Sequence, residues 1–176
     1  MYHPISTEEV LRENAAYEAR INEAEEALSR RGFPRTAIFR QPVVWGEHDQ
    51  YQHVNNAKYL EFAQDARMVF LRDVLTEMDI AVPPFFVRHT TIDYPRPLSP
   101  GENEVAVRSF VTQVGTKSCI MRQECRDSNS RIVCTVDTVM VGVDMMTGKS
   151  REWSEQDIAN LGLFLIPVEE EQEAYS

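Results

Sequence analysis

From Asn56 to about Thr76 the chain sets Tyr59, Leu60, Phe62, Ala63, Ala66, Val69, Phe70, Val74 and Leu75 at helical spacing. That pattern covers more than one stripe of a helix. A helix apolar over so much of its circumference is expected to be wrapped by other elements rather than laid on a surface. The residues before it, Trp45 to Asn56, read as the end of a strand and a polar loop that carries Asp49, His53, Asn55 and Asn56. Asn55 or Asn56 suits the helix N-cap, because an Asn side-chain oxygen accepts from a free first-turn amide. A loop ending at a helix N-terminus presents unpaired N–H groups and the positive end of the helix dipole, a place for an oxyanion. Chemistry is expected here.

Strand-like segments on either side of the helix supply the wrapping. Ala37 to Trp45 reads as a first strand whose Pro42 marks an edge or a bulge. Met78 to Pro84 is a connection, and Phe85 to Tyr94 a second strand. Pro95, Pro97 and Pro100-Gly101 then punctuate the chain. Glu104 to Val114, Ser118 to Arg126 and Ile132 to Val143 alternate in strand fashion and are joined by short turns at Gly115 and Asp127 to Ser130. Those turns predict an antiparallel meander. A short helix over Ser154 to Leu161 leads to an apolar tail, Leu163 to Val168. The expected class is α+β, an antiparallel five-stranded sheet curled round one long central helix. Ahead of it, residues 6–31 read as a further helix, opened by the Ser6/Glu9 capping pattern and stopped by Gly32 and Pro34. Its Val10, Tyr17, Ile21, Ala24 and Leu28 form a narrow seam that packs on its own domain or meets a partner helix. The domain reading is a helical extension over 1–35, the main domain over 36–168 and an acidic tail over 169–176.

Charge limits the partners. A formal net charge of −10 speaks against nucleic acid, which needs a clustered basic face. Much of the negative charge lies at the two ends, and Arg88, His89, Arg96, Arg108, Lys117, Arg122 and Arg126 sit along the strands. A small molecule bearing phosphate groups therefore stays in play. No apolar run has the length of a membrane span, and the first residues lack the plan of a secretory signal. The three cysteines, Cys119, Cys125 and Cys134, are odd in number and lack metal-ligand spacing. They read as buried thiols of a protein in a reducing compartment, the cytoplasm, or the mitochondrial matrix had a presequence been removed.

The run Trp45-Gly46-Glu47-His48-Asp49, followed by His53-Val54-Asn55-Asn56 and Tyr59, resembles the hotdog-fold thioesterases of the 4-hydroxybenzoyl-CoA thioesterase class. The likeness extends over about residues 37–165. It implies that Asp49 is the catalytic carboxylate, either a nucleophile on the thioester carbonyl or a general base on water. It implies that the Asn56 backbone N–H stabilises the developing oxyanion. His53 and Asn55 would hold the loop or touch the acyl group, and Tyr59 would line the pocket. The substrate implied is an acyl-CoA or acyl carrier protein thioester, with no cofactor and no metal. Arg88, Arg96 and Lys117 are candidates for the CoA phosphates. A homodimer, or a dimer of dimers, with two sheets joined edge to edge is also implied.

Three positions depart from the family pattern. Gln52 stands where a Gly precedes the His, and Gln64 where a Glu follows the Tyr. A second oxyanion donor falls around Pro83 to Phe86, where a proline has no N–H to give. Without the motif, Asp49 would read as an Asx-turn residue and His53 as a structural histidine. Glu47 and His48 flank Asp49 on the loop, and Glu61 is a reserve carboxylate on the helix. Two other readings stand beside hydrolysis. One is a non-catalytic acyl-binding or assembly module acting through the N-terminal helix. The other, a dehydratase on the same fold, ranks last because that chemistry uses a His-bearing helix.

Overall fold

The alternation after Pro84 is realised as four strands, completed by one from the front of the chain. In the computed structural model the described residues are 37–43, 54–74, 81–99 and 101–166. They form β1 (Ala37–Pro42), α1 (Asn56–Val69), β2 (Phe85–Asp93), β3 (Glu104–Val114), β4 (Ser118–Arg126), β5 (Ile132–Gly142) and α2 (Glu155–Gly162). The expected N-terminal helix, the loop from Trp45 to His53 and the acidic tail lie outside the described residues. All five strands join one antiparallel sheet in the order β1-β3-β4-β5-β2. β3, β4 and β5 are the expected meander, while β1 and β2 return to its two edges.

The register explains which residues meet the helix. Along β4, Cys119, Met121, Gln123 and Cys125 are buried and point to the α1 side. Val105, Val107 and Val111 of β3 and Cys134, Val136 and Met140 of β5 fill the same face. On α1, the matching stripe is Tyr59, Phe62, Ala63, Ala66 and, just beyond, Phe70. The core divides in two. Tyr59, Phe62, Ala63 and Ala66 pack with Val105, Val107, Cys125, Cys134 and Val136, and Phe70 packs with Met121, Met140, Trp153 and Phe164. Between them lies a buried polar contact, in which Gln123 Nε2 donates to the Ala63 carbonyl at 2.6 Å and to Ser109 Oγ at 3.1 Å.

The opposite face of the sheet carries ion pairs. Arg122 grips Asp137 through two bonds of 2.8 Å, and buried Glu124 is met by Arg126 at 2.5 Å and by Arg108 at 3.5 Å. Three of the strand arginines that kept a phosphate ligand in play are therefore paired with acids of the same sheet.

Three expectations need correction. First, α1 does not run as an α-helix to Thr76: the α-helix ends at Val69 and a π-helical turn, Phe70–Val74, follows. Second, Leu60 of the expected apolar set is 40% exposed, and Met68, outside that set, is 57% exposed. Among the described residues the sheet covers a single face of the helix, so apolar residues on the far face have no described neighbour covering them. The first strand also stops at Pro42, short of Trp45; Pro42 sits on an edge strand, where a missing N–H breaks no ladder.

The C-terminal part closes the far end. Ser154 and Asp157 form a reciprocal capping box on α2, and Leu165 bridges Val111 in parallel, carrying Phe164 and Ile166 inward. Trp153 packs against Gly142, where an added Cβ would come within 2.9 Å of the indole ring and 3.0 Å of the Arg151 carbonyl. Gly142→Ala is expected to cost about 1–3 kcal/mol through overpacking. Urea denaturation showing no loss of stability would contradict this packing.

Candidate active site

The start of α1 is built by one asparagine. Asn55 is the N-cap: its Oδ1 accepts from the Ala57 N–H at 2.9 Å, and its carbonyl accepts from the Lys58 N–H at 2.9 Å. Asn56 is then the first helical residue. No described residue accepts from its amide, which points out of the helix with the positive dipole end. The Asn56 carbonyl is held from the other side by the Tyr94 hydroxyl at 3.1 Å. That bond ties the first turn of α1 to the chain leaving β2.

Tyr59 forms the wall beneath. Its ring lies edge-on to Tyr94 at 5.6 Å and to Phe62 at 6.1 Å. Burial pushes its hydroxyl up to about 12, against the opposing effect of a backbone hydrogen bond at Leu98. A phenol so placed stays neutral across the physiological range, so it packs and shapes but does not exchange protons. Burial likewise raises Tyr94.

Asp49 and His53, with their neighbours Glu47 and His48, lie outside the described residues. Gln64 is exposed on the outer face of α1, two turns from Asn56. Of the helix carboxylates, Glu61 pairs with Lys58 at 2.7 Å and Asp65 accepts from Gln41 Nε2 at 3.0 Å. The reserve candidate Glu61 thus already has a cationic partner.

The basic candidates are dispersed. Arg88 sits in the bulge of β2, Arg96 just past the end of that strand, and Lys117 in the β3–β4 turn. All three are exposed, and none has a carboxylate partner among the described residues. Arg96 follows Tyr94, so it stands near the head of α1. Lys117 does not, since its carbonyl accepts from Gly142, opposite Phe85 at the other end of β2. From Phe85 to Asp93 the strand runs about 26 Å. One protomer therefore does not bring Lys117 and Arg96 together. The segment of the expected second oxyanion donor, Pro83 to Phe86, lies at the far end of β2 from Asn56 within one protomer.

One residue was missed from sequence. Arg67 is half-buried on α1, and its Nη1 donates to Thr138 Oγ1 at 3.3 Å, with no acid partner among the described residues. Burial lowers its pKa from the usual arginine value. The available signal was its place one helical turn after Ala63, beside the buried stripe. The cysteines are free and buried, as expected, and burial pushes Cys119 up to about 12. Such thiols are poor nucleophiles. Among the described residues no group of side chains could hold a metal ion, and no helix is long and apolar enough to cross a membrane.

Residues 43–161 match the family model described as the thioesterase-like superfamily. The chain belongs to that superfamily. It is 33% identical over 117 residues to the long-chain acyl-CoA thioesterase FadM of Escherichia coli strain K12, covering 62% of this chain and 86% of that protein. Among solved structures it is similar to the probable thioesterase YbaW of Escherichia coli, at 27% identity and a TM-score of 0.62, covering 73% of this chain and 98% of that one. It is also similar to a Thermus thermophilus thioesterase crystallised with coenzyme A and zinc, at 25% identity and a TM-score of 0.57, covering 70% and 95% of the two chains. The five-stranded antiparallel sheet with its helix matches these hotdog thioesterase neighbours.

The cap is the local element on which the site geometry turns. Asn55→Ala in this thioesterase-family chain is expected to cost about 1 kcal/mol. Amide hydrogen exchange should speed up at Ala57, whose partner is removed; unchanged protection there would show that Asn55 is not the cap.

Proposed function

We propose that this protein hydrolyses acyl-CoA thioesters, with acyl carrier protein thioesters as the alternative substrate. Water adds to the thioester carbonyl, the C–S bond breaks, and a carboxylic acid and a free thiol leave. Superfamily membership over most of the chain supports this, as does the relative whose name is that of a long-chain acyl-CoA thioesterase. The observation that carries the reading is the head of α1: a capped helix whose leading amide, on Asn56, has no acceptor among the described residues. That amide and the dipole behind it match the charge that forms on a thioester oxygen during attack.

In this reading Asp49, seven positions ahead of Asn56 in the motif, is the catalytic carboxylate. It acts as the nucleophile, through an acyl-enzyme anhydride, or as the general base that takes a proton from water. His53 and Asn55 steady the loop, and Tyr59 supplies the floor. Gln64 offers an amide where the family has a carboxylate, so it can orient a substrate without adding charge to the site. Arg96, beside the head of α1, is the nearest of the basic candidates to a CoA bound there. A homodimer completes the proposal. The free edge of β2 carries exposed Phe86 and Val87 and is unpaired among the described residues, so a second copy can add its own β2 there. Pairing of that kind also offers a way for Lys117 and Arg88 of one copy to approach the site of the other.

The test is thiol release from a panel of short, long and aromatic acyl-CoAs. Asp49→Asn is expected to lower kcat by roughly a thousandfold or more while leaving thermal unfolding unchanged. A silent Asp49→Asn substitution, or a parent that turns over none of the panel, sinks the proposal. Single turnover in water labelled with heavy oxygen tests the nucleophilic route: label in the Asp49 carboxylate reveals an anhydride opened by water at the Asp49 carbonyl, an outcome that direct attack of water on the thioester cannot give.

A further inference from the structure

The first turn of α1 is held from outside the helix as well as by its own cap. In a helix the carbonyl of the first residue accepts from the amide four residues on, and a carbonyl oxygen has room for a second donor. At Asn56 that second donor is the Tyr94 hydroxyl, at 3.1 Å. Tyr94 is itself restrained on three sides. It stands one residue past Asp93, whose pairing with Thr135 is the last step of the β2–β5 ladder. Pro95 follows it and restricts its backbone to extended conformations. Its ring packs edge-on against buried Tyr59. The Leu98 backbone bonds the Tyr59 hydroxyl in return, and Leu98 is itself buried. The two tyrosines therefore clasp in opposite senses, one reaching from the strand end to the helix and one from the helix to the segment beyond the strand.

We infer that Tyr94 is a positioning residue for the hydrolysis: by holding the Asn56 carbonyl, its hydroxyl fixes the first turn of α1 and so aims the amide that receives the oxyanion. The inference deepens the function proposed above and rests on it. Helix ends fray, and a helix carbonyl left to water tilts outward. The N–H and C=O of Asn56 share one Cα, so a tilt of the carbonyl turns the amide with it. The Asn55 cap restrains Ala57 and Lys58. The bond to Asn56 itself comes from Tyr94. Burial raises the Tyr94 hydroxyl above the ordinary tyrosine value, so the phenol keeps the proton it donates at every pH near neutrality. A donor stabilises developing charge best when its direction is set before the substrate arrives. Without the hydroxyl the amide is still present but is no longer aimed, so the loss falls on the transition state and not on substrate binding.

The test compares the full-length protein with Tyr94→Phe, which keeps the ring and loses one oxygen, on the fastest acyl-CoA of the panel above. In the variant kcat is expected to fall about tenfold, the worth of one hydrogen bond. KM, and the affinity for the non-hydrolysable thioether analogue of that substrate, should stay within about twofold of the parent. The same loss is expected at every pH, since no proton passes through the phenol. Amide hydrogen exchange should speed up at Leu60, whose N–H bonds the Asn56 carbonyl within the helix. An unchanged kcat overturns the inference. So does a variant that is less stable to heat but fully active when folded, because the role is then only structural. Loss of a limb of the pH–rate profile overturns it by making Tyr94 a proton donor, and a rise in KM alone overturns it by making Tyr94 a substrate contact. If the parent turns over no acyl-CoA, the hydrolysis reading fails by itself. Faster exchange at Leu60 in the variant then still upholds the hold of Tyr94 on the helix head, and unchanged exchange overturns it.

Discussion

One contact governs the architecture: the seating of α1 on the sheet through Ala63 and Ala66. Both are fully buried, and their small side chains bring the helix backbone down to the strands. The approach is close enough for Gln123 of β4 to bond the carbonyl of Ala63 directly. Tyr59 and Phe62 on one side and Phe70 on the other then fill the space that the curved sheet leaves. With the helix fixed at its middle, its head is carried to the end of the sheet where Tyr94 and Leu98 wait, and its tail to the end where Trp153 and Phe164 wait. The candidate site lies at the head of that rod.

Charge is handled differently on the two sides of the sheet. The helix side holds a single polar cluster of Gln123 and Ser109, and nearby Thr138 takes the Arg67 guanidinium. The other side takes the acids and arginines, with Glu124 buried between Arg126 and Arg108. A buried carboxylate is tolerated only with such partners. This explains why the arginines of β3 and β4 are structural.

The strands were legible because each alternates and because turns at Gly115 and Asp127 separate them. Asp127 builds its turn as a short side chain next to a backbone can: its Oδ1 accepts from the Asn129 and Arg131 amides at 2.9 Å each. The cap was legible only as a choice between Asn55 and Asn56, since both have the side chain for it and tertiary contacts decide. Sheet order was not legible. β2 pairs with β5 across an intervening meander, a non-local pairing to which no local pattern points. The extent of burial on α1 was misread for a related reason. Periodicity reports which residues are apolar, and Leu60 is, but it does not report how many faces a neighbour covers. Arg67 escaped notice because a charged residue on a helix usually faces water, whereas here it lies against Thr138. The motif residues Asp49 and His53 could be found only by likeness to a family, as propensity assigns a lone loop carboxylate no task.

The split of the core into two clusters has an evolutionary side. Residues around Tyr59, Val107 and Cys134 set the shape of the helix head, and those around Phe70, Met140 and Trp153 set the shape of its tail. Substitutions far apart and without shared neighbours change stability independently. A lineage can therefore rework the tail region, residue by residue, while the packing that aims the helix head is left undisturbed.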